Sequence, residues 1–290
     1  MNRNYKYYFI IFCLVFLNCK LFGQSFQEEL NKQKDSISKL TILKNWKKST
    51  PDDSEVYIAY FNYYIEKSRE TGTKANKYYG KPGKTDSILN ANVVIYNPKF
   101  LKEAFFNIDK AIKIKPNKID IREGKIYYYA MLEQWNDLTN EIITLLNYSN
   151  QIRNNWLSKE DKPIENPRKY LLNLVSKYQY NLYNFARTDN EKLFNISKTV
   201  YKYYPDYIEN LFFLSECYRL DHNYNKSIEI LLEAHKLEPT NFNVIKYLAE
   251  NYEKNGETKK ALEFYNLAYK YSDQESSEKL KTTIQELEKK

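Results

Sequence analysis

Between Ile208 and Asp273 the chain carries two consecutive stretches, each of about 34 residues, with the same residue types at the same offsets. The matching pairs are Leu211 and Ile245, Leu214 and Leu248, Ser215 and Ala249, Tyr218 and Tyr252, Ser227 and Ala261, Leu231 and Tyr265, Ala234 and Ala268, and Pro239 and Asp273. The first four positions recur at steps of three, one and three residues, which places them on one face of an α-helix. One helix pair cannot cover such a face, so we expect neighbouring units to stack.

Small residues lie at matching positions of both helices in a stretch. Ser215 and Ala249 on the first helix, like Ala261 on the second, allow a neighbouring helix to approach closely. Gly256, in the polar turn between two helices, suits the positive φ of a helix C-terminus. This pattern resembles the tetratricopeptide repeat, here of an exported bacterial type. The resemblance implies an all-α fold, a right-handed solenoid of antiparallel helix pairs with a C-terminal capping helix, and two inserted loops depart from the plain array.

Prolines at the end of a repeat indicate how the rest of the chain is organised. Pro205 and Pro239 are one repeat length apart, whereas the interval from Pro116 to Pro205 exceeds two repeat lengths and that from Pro51 to Pro116 exceeds one. The surplus predicts insertions at about 70–98 and 150–167. In the first insertion the run Val93–Tyr96 favours a small hairpin or a flap, and a tolerated surface insertion is the alternative. The predicted segments are a signal peptide (1–23), an N-terminal helix (24–50), the repeat array (51–274) and a capping helix (275–290).

The predicted helices follow in pairs between the insertions. They cover residues 26–48, 54–69 with 99–113, 119–132 with 137–149, 170–185 with 190–204, and the tail 276–290.

The first residues are typical of an export signal. Arg3 and Lys6 precede a short apolar core, Tyr7 to Leu17, which falls well below the roughly 20 residues that span a membrane. Cleavage near Gly23 predicts a periplasmic or secreted protein. Lipidation of Cys19, which would make the protein a membrane-anchored lipoprotein, and a retained anchor remain alternatives.

No pattern in the sequence indicates catalysis, a metal site or a cofactor. His222 and His235 have no carboxylate or Cys at a metal-ligand spacing, and Gly83-Lys84-Thr85 lacks the first glycine of a phosphate-binding loop. Cys217 has no neighbouring histidine or basic cluster to lower its pKa, so we expect a packed, inert thiol. The formal charge is +8, but acidic residues interleave with the basic ones, and we expect no nucleic-acid binding.

The resemblance implies a binding surface along the first helix of each repeat, at its second, fifth, ninth, twelfth and thirteenth positions. These positions hold Glu209, Phe212, Glu216, Arg219 and Leu220, then Asn243, Lys246, Glu250, Glu253 and Lys254. The mixed charges predict a protein or peptide partner with an apolar anchor against Phe212, since aromatic and Arg residues commonly dominate binding energy. The rival hypothesis is a cell-envelope structural or glycan-associated lipoprotein.

Overall fold

The computed structural model describes Gly23 and residues 25–78, 87–185 and 190–289. The predicted signal peptide, apart from Gly23, lies outside the described residues, as do Gly83, Lys84 and Thr85. The chain forms two compact units. Unit 1 extends to Lys125 and includes Leu157–Lys162, and unit 2 comprises Ile126–Trp156 and Pro163–Lys290.

Unit 1 contains helices and one β-hairpin. Its elements are α1 (25–32), α2 (Ser36–Ser49), α3 (Ser54–Ser68), β1 (Arg69–Tyr78), β2 (Ser87–Tyr96), α4 (Pro98–Ile114) and the first half of α5 (Ile119–Met131). The single helix predicted over 26–48 is wrong, because the chain breaks at 33–35. Asp35 ends that break as the N-cap of α2, and its carboxylate accepts a hydrogen bond from the Ser38 amide at 2.7 Å.

The first insertion is a two-stranded antiparallel hairpin that pairs Arg69 with Tyr96 and Tyr78 with Ser87. The backbone N–H of Asn97 donates to the carbonyl of Ser68 at 2.7 Å, so the chain returns to the end of α3 before α4 begins. The side chain of Asn97 then caps α4 by accepting from the Lys99 amide. The hairpin therefore leaves the pairing of α3 with α4 intact.

Unit 2 consists of consecutive helices. After the second half of α5 come α6 (Trp135–Gln151), α7 (Pro167–Phe185), α8 (Glu191–Tyr203), α9 (Ile208–Leu220), α10 (Tyr224–Leu237), α11 (Phe242–Lys254), α12 (Thr258–Lys270) and α13 (Gln274–Leu287). The second insertion separates α6 from α7, and its Trp156 is buried with the indole N–H donating to Ser149 Oγ at 2.8 Å.

Among the helix pairs whose connecting turn lies within the described residues, three share one turn. The backbone N–H of Gln134, Asn223 or Glu257 donates at 2.9 Å to the carbonyl of the tyrosine five residues earlier. The residue before each donor has a positive φ: 55° at Glu133, 58° at His222 and 80° at Gly256. The expected positive φ at Gly256 is confirmed, and equivalent turns form with Glu or His in that place.

The four prolines used to count repeats occupy one structural position. Each follows the C-cap residue of a helix, and that residue donates its N–H to the carbonyl four residues earlier at 2.7–2.9 Å. The C-cap residues are Thr50, Lys115, Tyr204 and Glu238. Since proline cannot continue the helix, it fixes where the next pair begins.

The core of unit 2 repeats along the second helix of each pair. Equivalent buried positions hold Leu138, Ile142 and Leu145 in α6, Leu193, Ser197 and Val200 in α8, Ser227, Leu231 and Ala234 in α10, and Ala261, Tyr265 and Ala268 in α12. Helix α13 covers the last pair with Leu280 and Leu287. The predicted all-α solenoid of helix pairs is confirmed; within the described residues the β structure consists of the hairpin and isolated bridging such as that between Lys118 and Leu157.

Replacement of Ala261 by Glu tests this packing. Ala261 is fully buried, so its substitution places a carboxylate between helices and should cost several kcal/mol of unfolding free energy. The control Lys259→Glu changes an exposed side chain on the same helix and should cost less than about 1 kcal/mol. Urea unfolding followed by circular dichroism measures both, and equal losses would contradict the assigned helix phase.

Candidate binding surface

The predicted surface residues lie on two first helices of unit 2, α9 and α11, and their exposure varies widely. Glu209, Asn243 and Lys254 are exposed. Phe212, Arg219, Leu220, Lys246, Glu250 and Glu253 are partly buried. Glu216 is only 1% exposed. We use the term first-helix face for the partly exposed surface formed by α5, α7, α9 and α11 within unit 2.

Glu216 is part of an internal ion pair and is not a free surface contact. Arg219 donates to both of its carboxylate oxygens, from Nε at 2.8 Å and from Nη2 at 2.6 Å. Tyr183 of α7 donates its hydroxyl to Glu216 Oε2 at 3.2 Å. The hydrogen bond with Glu216 raises the pKa of Arg219, so the guanidinium stays charged. Glu216 is therefore buried beneath the face and supports Arg219, whereas direct contact of Arg219 with a partner stays a prediction because its side chain is 35% exposed.

A row of aromatic rings runs across three first helices. The Tyr180 ring of α7 lies 4.7 Å from Phe213 of α9, and Phe212 lies 4.8 Å from Tyr247 of α11, between ring centroids. Tyr183 joins the two halves at 6.2 Å from Phe212. Tyr180 is 50% exposed, whereas Phe213 is fully buried. The row is thus anchored in the core and open on one side.

Charged groups border this aromatic row. Lys246 and Glu250 form an ion pair at 3.5 Å, with their side chains 40% and 36% exposed. Burial is the main cause that raises the pKa of Glu250, and burial also raises the pKa of Tyr247 to about 12. Glu253 accepts a hydrogen bond from the Tyr265 hydroxyl at 2.8 Å, so it connects α11 to α12. Lys246 and Glu250, together with the similarly exposed Arg219, therefore supply accessible charges beside the rings.

A cavity of about 300 Å³ lies between α5 and α7. It is lined by Tyr127, Ala130, Met131, Glu133, Trp135, Lys177, Tyr178 and Asn181. These α5 positions correspond to predicted surface positions of α9. The interval from Pro116 to Pro205 also separates Tyr127 from Glu216, Ala130 from Arg219 and Met131 from Leu220. Where α9 has its ion pair, α5 has a tyrosine and an alanine, and the shorter alanine side chain leaves room for the cavity.

The sequence reasoning missed the aromatic row and the cavity for different reasons. The buried residues Val175, Tyr178, Gln179 and Leu182 of α7 follow the same steps as the matched positions of α9, but their offset from Leu211, Leu214, Ser215 and Tyr218 is two residues longer than the repeat length, so a search at the repeat length does not align α7. The large aromatic residues Phe213 and Tyr247, at the sixth position of α9 and α11, were a usable signal. Subtracting the interval between Pro116 and Pro205 from the predicted surface positions of α9 would have indicated the α5 residues that line the cavity.

Other chemical groups are dispersed. Within the described residues, no three His, Cys, Asp or Glu side chains come together as a metal-binding group. Cys217 is fully buried, and burial raises the pKa of its thiol, in agreement with the expected inert cysteine. His222 contacts the Tyr224 hydroxyl, and His235 packs against Phe264. No helix in the described part of the chain has the length and apolar character needed to cross a membrane.

Removal of Arg219 tests the internal ion pair. Arg219→Ala leaves the buried Glu216 carboxylate with the Tyr183 hydroxyl as its remaining partner. Because Arg219 is about one-third exposed, the cost is lower than for a fully buried ion pair, and we expect a loss of roughly 2 kcal/mol in unfolding free energy. The double variant Arg219→Ala with Glu216→Gln removes the uncompensated charge and should regain part of that loss. Chemical unfolding of both measures this, and an Arg219→Ala protein of unchanged stability would contradict the internal ion pair.

Comparison with known proteins gives matches in structure alone. No protein-family model matches the sequence, and no curated protein matches it. Among solved structures, the chain is similar to YrrB, described as a TPR protein with an unusual peptide-binding site, at 12% identity and a TM-score of 0.42 over 79% of this chain and 92% of that one. It is similar to the TPR domain of P58(IPK) at 15% identity and a TM-score of 0.37, over 92% of this chain and 65% of that one.

A third similar structure is the Yersinia enterocolitica type III secretion chaperone SycD in complex with a peptide of the translocator YopD. It shares 14% identity and a TM-score of 0.38 over 40% of this chain and 92% of that one. This chain's own geometry establishes that its helix pairs are tetratricopeptide-like. Matching residues lie at a constant offset, helix pairs share one turn, and small residues are buried at equivalent positions.

Proposed function

We propose that the protein is a non-enzymatic scaffold that binds an extended peptide segment of a partner protein on the first-helix face of unit 2. The observation that supports this most directly is the aromatic row, because Tyr180 is half exposed although the neighbouring Phe213 is buried. Exposed aromatic side chains held by a rigid core lose little conformational entropy on binding, and such residues commonly dominate interface energies.

The cavity between α5 and α7 defines what the partner must present. Its volume of about 300 Å³ is at the low end of ligand pockets, which suits one or two side chains. Tyr127 and Met131 at its opening are 46% and 39% exposed, and they offer apolar contact. Lys177 and Glu133 provide one charge of each sign at the rim. We infer a peptide with a bulky apolar side chain for the cavity and polar or charged residues on both sides.

The charges beside the aromatic row favour the same kind of peptide. Lys246 and Glu250 are paired with each other, so neither sign is in excess there. A free C-terminal carboxylate would meet Glu250 one turn from Lys246, and this argues against capture of a peptide terminus. An internal segment of a partner, with no terminal charge, avoids that repulsion.

Substitution at the cavity opening tests this proposal. Peptides are first selected from a random synthetic array with the full chain, and their affinities are then measured by fluorescence anisotropy. Met131→Arg fills the opening and adds a charge, so binding of the selected peptides should weaken at least ~10-fold, which corresponds to about 1.4 kcal/mol.

The matched control is Tyr269→Arg. Tyr269 is 45% exposed and lies near the end of α12, a second helix, as Met131 lies at the end of α5. This variant should bind the peptides as the unchanged chain does. If Met131→Arg and Tyr269→Arg bind equally well, or if no array peptide binds, the first-helix face is not a peptide site.

We further propose that the protein is exported. Residues 1–22 support this with the basic start and short apolar core, and the experiment is intact-mass analysis of protein isolated from its native cells. A mature chain that begins at Gln24 is expected. Gly23 packs beside Trp46 and Asp53, so cleavage after it removes one buried residue of unit 1. A lipid-modified Cys19 would show the lipoprotein form, and an intact N-terminus would contradict cleavage.

A further inference from the structure

The two units differ in charge. From residue 25 onward, unit 1 contains 22 Lys and Arg against 15 Asp and Glu, a formal charge of +7, whereas unit 2 contains 20 against 22, a charge of −2. The basic character of the folded chain therefore belongs to unit 1. This charge excess belongs to a different unit from the first-helix face, and the binding proposed for that face does not depend on it.

Helix α4 concentrates this charge on one side. Lys99, Lys102, Phe106, Lys110 and Lys113 follow one another at steps of three, four, four and three residues, so they form a single stripe. From its first lysine to its last, the stripe extends along about 21 Å of helix. Phe106, at its centre, is 54% exposed. A large apolar ring thus lies in water between two pairs of lysines.

Lys47 on α2 extends the stripe to a second helix. Its Nζ lies 5.7 Å from the centroid of the Tyr57 ring, and Lys110 Nζ lies 5.7 Å from the same centroid. The two ammonium groups are therefore within twice that distance of each other. Tyr57 is held in place because its hydroxyl donates to the carbonyl of Pro51 at 2.9 Å. We call Lys47 and the five residues of the α4 stripe the lysine face.

The carboxylates of α4 do not neutralise this face. Asp109 flanks the stripe, but it pairs with Lys125 at 2.7 Å. Glu103 flanks the other side near Tyr64, whose pKa is raised mainly by burial and also by this carboxylate, and it offsets at most one of the five lysine charges. Helix α2 contains no Asp or Glu. Among the described residues, none of the five lysines of the face forms an ion pair. Lysines at this spacing repel one another, so an anionic partner would relieve that repulsion.

We propose that the lysine face docks unit 1 on the surface of an anionic lipid bilayer. Lysines close to such a surface each contribute to attraction, and Phe106 enters the interfacial region where aromatic rings are favoured. The 4.5 Å distance from Lys110 Nζ to the Phe106 ring places a cation directly beside the inserting group. A hydrophilic polyanion would use the lysines but would leave the exposed ring without an apolar environment. The ring therefore favours the bilayer.

Vesicle co-sedimentation tests the proposal with the full chain. The probes are phosphatidylcholine vesicles with and without phosphatidylserine as a minor component, at low and high salt. Lys102→Glu with Lys113→Glu should weaken binding to the anionic vesicles at least ~10-fold. Lys259→Glu with Lys281→Glu makes the same change in net charge on exposed residues of unit 2 and should weaken it less than ~2-fold. All variants carry the same residues 1–22, so a difference between the two charge-reversal pairs comes from the substituted lysines and not from this apolar segment.

Phe106→Ser separates a bilayer from a soluble polyanion. It should reduce binding to anionic vesicles at least ~3-fold and leave binding to polyglutamate unchanged. Thermal unfolding confirms that each variant is folded. The proposal is overturned if the two charge-reversal pairs bind vesicles equally, if neutral vesicles bind as well as anionic ones, or if Phe106→Ser leaves vesicle binding unaltered. The peptide experiments on unit 2 are unaffected by any of these outcomes.

Discussion

The close contact between second helices and their neighbours is the constraint on which unit 2 depends. Ala234, Ala261 and Ala268 are at most 1% exposed, and at the equivalent places in α6 and α8 the chain uses larger residues that fill the same space. Because interiors are close-packed, the volume at these positions sets how near the helices lie. The first helices then have a fixed spacing, and this spacing brings the rings of Tyr180, Phe212 and Tyr247 into one row.

The helix pairs were largely predictable, because their signals are local. The four phasing prolines follow C-cap residues, and Gly256 has the positive φ that its position in the turn indicates. Most predicted helices differ from the observed ones by one to three residues at an end. The exception, the segment 26–48, fails because one side chain, Asp35, caps a new helix within an apolar pattern that continues across the break.

The candidate site was less predictable, because it depends on contacts between distant residues. Glu216 appears as a surface acid in the repeat pattern, yet Arg219 and Tyr183, from the preceding first helix, cover it. The cavity lies where α5 has the short side chain of Ala130 and α9 has Arg219. The periodicity of apolar residues does not indicate such a difference in side-chain size. The lysine face follows a simple spacing, but its significance depends on knowing that Asp109 is already paired. The local sequence pattern therefore predicts the helices, whereas the properties of the surfaces depend on which side chains pair with one another in the folded chain.

We propose that the first helices of unit 2, and not the second helices, contact the partner. Site-specific photo-crosslinking tests it most directly, with p-benzoylphenylalanine replacing Tyr180 on α7 in one protein and Tyr269 on α12 in another. These tyrosines are 50% and 45% exposed, so the two probes have similar access to solvent. The account predicts that a selected peptide crosslinks from position 180 and not from position 269. Equal crosslinking from both positions, or crosslinking from position 269 alone, would contradict it.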